Sequence, residues 1–194
     1  MPGIWDRWGA LTRSMMSTRV AIARERAFWE QLDFTNRSTL KIKATVGETR
    51  YPIRLVDHVS ALDDEGTLMA ATLVLSYALA ESAALERLDL ESRSVAGIED
   101  WGGRLLRASG RAWSDVADGR AGAVEVGVVR NLVVHGQGVV DQKNLARLES
   151  AGSAAFKLGD AVDLTYDRVV TYRARLRSLL TAGGLSAEAS GAAS

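Results

Sequence analysis

The chain has 194 residues, 47% of them hydrophobic and 25% charged, which is enough for one substantial core. Its 24 basic and 24 acidic residues cancel, so it is not a protein that coats nucleic acid through bulk charge. With no cysteine and two histidines, it has little material for a zinc site, a thiol nucleophile or a disulfide framework, and an intracellular setting is the default expectation.

Residues 1–13 lack the apolar core of a signal peptide, and the two prolines, Pro2 and Pro52, leave room for long helices. The first predicted element is a helix over 5–32, in which Trp5, Trp8, Leu11, Met15, Ile22, Phe28, Trp29 and Leu32 recur at near-helical spacing. At residue 40 the period changes to two. Leu40, Ile42 and Ala44 alternate with Lys41, Lys43 and Thr45, and after a turn at Val46-Gly47-Glu48-Thr49, Tyr51, Ile53 and Leu55 alternate with Arg50, Pro52 and Arg54. This predicts a β-hairpin insertion over 39–56 whose polar face gathers Lys41, Lys43, Arg50 and Arg54. Those charges either guide RNA or deter edge-to-edge association. A two-stranded ribbon is marginal alone, so its apolar face should pack on the helices or on a partner chain.

A second long helix is predicted over 64–89, entered through Asp63 and Asp64 and apolar around most of its circumference, as suits a central helix. Its charge-free stretch ends at Glu81 and is too short for a bilayer, which takes about 20 residues. Glu81 either orients an arginine such as Arg130 across the bundle or marks where the helix meets water. A third helix over 98–116, loosened at Gly102-Gly103, would place Arg104, Arg107 and Arg111 on one face, either a phosphate track or a solvated surface.

The next helix, predicted over 118–135, ends in Val128-Val129-Arg130-Asn131-Leu132-Val133-Val134-His135-Gly136. Arginine offers a fixed fork of donors suited to phosphate, and histidine gives and takes protons near neutrality. In an unbroken helix Arg130 and His135 would stand about 140° apart around the axis. They can serve one site only if Gly136 ends the helix with a left-handed turn and lets His135 swing. Gly122 and Gly127, set among Ala121, Ala123, Val124, Val126 and Val128, make this helix slim enough to approach a second copy of itself, or else to pack closely inside the monomer. A polar connection through Asp141, Gln142 and Asn144 follows, then an extended segment over 161–165 capped by Thr165, and a last helix over 166–180. The small, polar residues 182–194 are expected to be a disordered tail. The expectation is thus a mainly α, up-and-down helical bundle with a small β-hairpin insertion, one domain over 1–181. No P-loop, dinucleotide fingerprint or Gly-x-Ser-x-Gly elbow points to another chemistry.

The segment Arg130-Asn131-x-x-x-His135 resembles the active motif of the HEPN superfamily of small helical ribonuclease domains. The specific match covers Arg130 to Gly136; the surrounding helical layout is compatible but generic. The resemblance implies that Arg130 binds and polarises the scissile phosphate, that His135 is general base or acid, and that Asn131 positions one of them or the substrate. RNA carries its own nucleophile in the 2′-hydroxyl, so a base, an acid and a cation suffice without metal or cofactor. The implied protein is a HEPN-like, metal-independent endoribonuclease, cytoplasmic and with no membrane role. It would act as a toxin or antiviral-defence effector held in check by an antitoxin or partner subunit. A homodimer would bring two motifs together and divide the acid and base roles. The alternative within the resemblance is a noncatalytic nucleotide- or RNA-binding or scaffolding module.

Overall fold

The run without charge between Glu65 and Glu81 forms the middle of α3 (Glu65–Leu88), the helix around which the others pack. The computed structural model describes residues 3–31, 39–46, 49–136 and 138–185. Asp64 opens α3 by accepting the Thr67 backbone N–H at 3.1 Å and its hydroxyl, which hold the Asp64 carboxyl below the usual carboxylate range. Asp89, in left-handed conformation, closes it. Met69, Leu73, Tyr77, Ala80 and Ala84 are buried against α1 (Ile4–Glu30), α4 (Ile98–Ala108), α5 (Gly119–Val134) and α7 (Tyr166–Ala182). By length and composition α3 is apolar enough to cross a membrane, but half of its most apolar stretch lies inside the protein. The outcome is the predicted architecture, a helical bundle with a small antiparallel hairpin.

Two buried polar ties fix how the long helices stand. Arg173 of α7 is 6% exposed and donates to Ser76 Oγ of α3 at 2.7 Å and Thr12 Oγ1 of α1 at 2.6 Å, with its guanidinium 4.7 Å from the Trp8 ring centre. Burial lowers its pKa. On the other side of α7, Tyr172 donates to Glu125 Oε1 of α5 at 3.0 Å. Arg175 stands 2.9 Å from Glu125 Oε2, an ion pair not aligned as a hydrogen bond, and donates through Nε to Asp118 at 2.7 Å. Burial, and then the Glu125 charge, push the Tyr172 phenol up from its ordinary value of 10.0.

Several boundaries differ from the sequence expectation for identifiable reasons. The ribbon consists of β1 (Lys41–Val46) and β2 (Thr49–Arg54), with Ile42 opposite Ile53 and Lys41 opposite Arg54. It stops short of residue 56 because Leu55 begins α2 (Leu55–Asp63), whose Leu55 and Leu62 follow a helical period that the strand alternation masks. Leu32, counted into the first helix, lies outside the described residues.

The helix expected over 98–116 ends at Ala108. Gly110 takes a φ of +66° and the Arg111 N–H closes the end on the Leu106 carbonyl at 2.9 Å. Arg111 therefore leaves the helix and does not share a face with Arg104 and Arg107. Gly102 allows a close approach: a Cβ there would stand 2.8 Å from the Trp113 ring and 3.2 Å from Leu179. The stretch read as a polar connection after Asp141 is α6 (Gln142–Ser150), started by the Asp141 carboxylate accepting the Asn144 N–H at 2.7 Å. The extended segment pairs through Val139 and Ala161, and Thr165 caps α7 as predicted.

The slim face of α5 is used inside the chain, not between copies. Gly122 and Gly127 are both buried; a Cβ at Gly122 would stand 2.6 Å from Asp118 Cβ, and one at Gly127 would stand 2.9 Å from Ile98 Cγ2. The Gly127→Val variant is expected to lose about 1–3 kcal/mol, the usual cost of overpacking. Urea unfolding measures it, and an unchanged midpoint would mean that Ile98 yields freely. Alkali supplies a second test. Tyr172 has a raised pKa in the fold, so the stability it contributes is full below pH 10 and is lost as pH rises toward the folded-state value. Tyr172→Phe should therefore show a shallower loss of thermal stability above about pH 10 than the parent chain; identical slopes would refute this.

Candidate functional site

The end of α5 is set by residue chemistry at Gly136. Its φ of +67° turns the chain left-handed after Val134, and His135, as the C-cap, donates its backbone N–H to the Asn131 carbonyl at 3.0 Å. His135 is exposed and lies one turn beyond Asn131, so the two share a face. They line a cleft of about 390 Å³ between the end of α5 and the start of α6, with Leu132, Asp141, Lys143, Asn144 and Arg147.

The charges in this cleft are unevenly satisfied. The Asp141 carboxylate accepts the Asn144 backbone N–H at 2.7 Å and its side-chain amide at 2.8 Å. Arg147 donates to Glu99 Oε2 at 3.0 Å, and Glu99 also accepts from Arg120 at 2.7 Å, so one carboxylate is divided between two arginines. Lys143 is exposed and has no acidic partner among the described residues. The cleft thus sets an imidazole, an exposed ammonium and a half-neutralised guanidinium beside a single carboxylate, Asp141, which leaves the cations in excess.

Arg130 is held differently. Its Nη1 donates to Asn131 Oδ1 at 2.9 Å, its guanidinium lies 4.9 Å from the Tyr77 ring centre, and its Nε is buried without a partner. Among the described residues no carboxylate pairs with it. Arg130 is not part of the lining of the His135 cleft; Asn131 links the two, reaching Arg130 with its side chain while lining the cleft itself. The neighbouring Tyr77 phenol is raised chiefly by burial, with Glu81 raising it further and Arg130 lowering it. Glu81 thus brackets Tyr77 with Arg130 but forms no ion pair with it. Instead it lines another hollow beside Ala78, Ser82, Leu85 and Glu86.

The remaining sequence candidates lie elsewhere. Arg104 is engaged with Asp100 at 2.7 and 3.2 Å, Arg107 is exposed on α4, and Arg111 borders a groove with Ser109, Asp115 and Arg177. Lys41, Lys43, Arg50 and Arg54 belong to the ribbon, where Arg54 pairs with Asp57 at 2.6 and 2.8 Å. Sequence reasoning missed Lys143 and Arg147, because α6 was read as a connection. The signal was present in Asp141 standing three residues before Asn144 as a helix cap, followed by cations one turn apart.

Inorganic phosphate at millimolar concentration should shift the His135 ring resonances in NMR spectra, and Lys143→Ala should weaken that binding by about two- to fivefold, the value of one exposed charge pair. Phosphate shifts that survive unchanged in Lys143→Ala would show that the ammonium does not face the ligand. No family model, curated protein or solved structure matches the chain.

Proposed function

We propose that the protein is a metal-independent endoribonuclease of the HEPN type, with Arg130, Asn131 and His135 as its working residues. The observation that carries this reading is the state of Arg130, a half-buried guanidinium with no acidic partner among the described residues, tethered by Asn131 to the wall of the cleft that holds His135. Unneutralised cations beside an exposed imidazole suit a phosphodiester. In the reaction the 2′-hydroxyl loses its proton to one imidazole as its oxygen attacks phosphorus. The P–O5′ bond breaks, and an acid returns a proton to the 5′-oxygen, leaving a 2′,3′-cyclic phosphate and a 5′-hydroxyl. Arg130 stabilises the charge on the phosphorane, with Lys143 adding to the field of the cleft.

One histidine cannot begin in both protonation states, so a second copy of the chain supplies the other. The buried glycines of α5 remove that helix as the seam. The outer face of α3, where Ala71, Ala78 and Ser82 surround Leu75 at 52% exposure, is an apolar surface open to a partner. A cytoplasmic toxin or defence effector restrained by an antitoxin or partner subunit is the setting that fits such chemistry. A second reading, a noncatalytic nucleotide- or RNA-binding module, is favoured by one observation: Arg130 packs on Tyr77 and does not itself line the His135 cleft.

Cleavage of RNA should persist in excess chelator, vanish when all 2′-hydroxyls are replaced by hydrogen, and fall about 100-fold or more in His135→Ala with RNA affinity kept. Arg130→Ala should lose both rate and affinity. RNA binding without cleavage under every condition would decide for the noncatalytic reading, and cleavage restored only by a divalent ion would refute the mechanism.

A further inference from the structure

We infer that the cationic face of the β1–β2 ribbon is a docking arm for the phosphate backbone of a nucleic-acid strand, separate from the His135 cleft. The register places Lys41 opposite Arg54, Lys43 opposite Pro52 and Thr45 opposite Arg50, so Lys41, Lys43, Arg50 and Arg54 project from one side of the ribbon. The other side carries Ile42 and Ile53, which face each other and are half-buried, while all four cations are exposed. The base of the ribbon is closed by the Leu55 N–H donating to the Leu40 carbonyl at 2.9 Å, and Leu55, itself buried, begins α2. The cationic side is thereby the one turned to solvent.

The arrangement is unfavourable for the ribbon itself. Like charges directly across a ladder destabilise it, and a two-stranded ribbon has little stability to spare. Asp57 answers Arg54 alone. Lys41, Lys43 and Arg50 have no acidic partner among the described residues. Lys41 faces Arg54 directly, and Lys43 and Arg50 add two more cations to the same side, a concentration beyond scattered edge charges. A polyanion resolves the repulsion, because its phosphates sit between the cations and release counterions as they bind. Along β1 the two lysines stand about 6.6 Å apart, on the scale of successive phosphates in an extended strand.

This inference deepens the ribonuclease reading by separating the holding of RNA from its cutting, and it is tested by binding so that the two can fail apart. The probe is a single-stranded 2′-O-methyl oligoribonucleotide of about 16 nucleotides, which cannot be cleaved through its 2′-oxygen. Fluorescence anisotropy against salt concentration should show the triple variant Lys41→Ala, Lys43→Ala, Arg50→Ala binding about tenfold more weakly or worse. Its log K against log salt slope should be shallower by about 2, at roughly 0.7 per lost phosphate contact. Lys41→Arg with Lys43→Arg should bind like the parent, and far-UV circular dichroism checks that each variant is folded. Parental affinity and slope in the folded triple variant would overturn the proposal, as would a parent chain that does not bind the probe. A loss at least as large for phosphatidylserine vesicles would assign the ribbon to a membrane surface and overturn it too. Aggregation of the triple variant with undiminished binding by its soluble fraction would assign the charges to solubility and likewise overturn the docking arm.

Discussion

A helix that carries no charge between Glu65 and Glu81 cannot stand in water, and most of the architecture follows from covering it. Burying a Leu- or Met-sized side chain is worth about 1.5–3 kcal/mol, so Met69 and Leu73, both fully buried, reward any helix that packs on α3. α1, α4, α5 and α7 all do so. Apolar burial is not directional, however, and does not say at what height each helix stops. The buried polar ties do. Arg173 reaches two hydroxyls on two different helices, and Glu125 accepts from Tyr172 while neighbouring Arg175; a helical slip would strand a charge in the interior, which costs far more than a lost methylene contact.

The same ties place the end of α5. With Glu125 anchored to α7 and Gly127 pressed on Ile98, the helix has one position, and Arg130, Asn131 and His135 are delivered to fixed places on the surface. Arg130 falls toward α3 and Tyr77. Asn131 and His135 fall toward α6. Arg130 and His135 therefore face different neighbours, and the Asn131 amide, which accepts from Arg130 and lines the cleft, joins them. Replacing that amide would cut the contact between the cation and the cleft without touching either end.

Charge placement divides the surface by purpose. Where arginines meet carboxylates, as with Arg19 and Glu65 or Arg104 and Asp100, they join elements or shield helix turns, and being exposed these pairs contribute little stability. Lys143 in the α5–α6 cleft and Lys41, Lys43 and Arg50 on the ribbon are exposed cations with no acidic partner among the described residues. Zero net charge thus conceals a local asymmetry, and the local field is what an anionic ligand meets.

The sequence alone determined the elements whose pattern is local. Period-3.6 apolar spacing marked α1, α3 and α7, strict alternation marked the ribbon, and Gly136 marked where α5 ends, because glycine takes a left-handed φ without steric cost. The two short helices α2 and α6 were obscured because nine residues give little periodicity, and strand-like alternation or polar composition overrode it. What only the tertiary structure decided was company. The glycines of α5 look the same in sequence whether they meet Ile98 or another chain; Glu81 pairs with no arginine among the described residues because its helix faces it elsewhere. Lys143 joins His135 because α6 folds back over the end of α5. Such pairings depend on where whole helices stand, a matter of long-range packing and buried charge that no local spacing records.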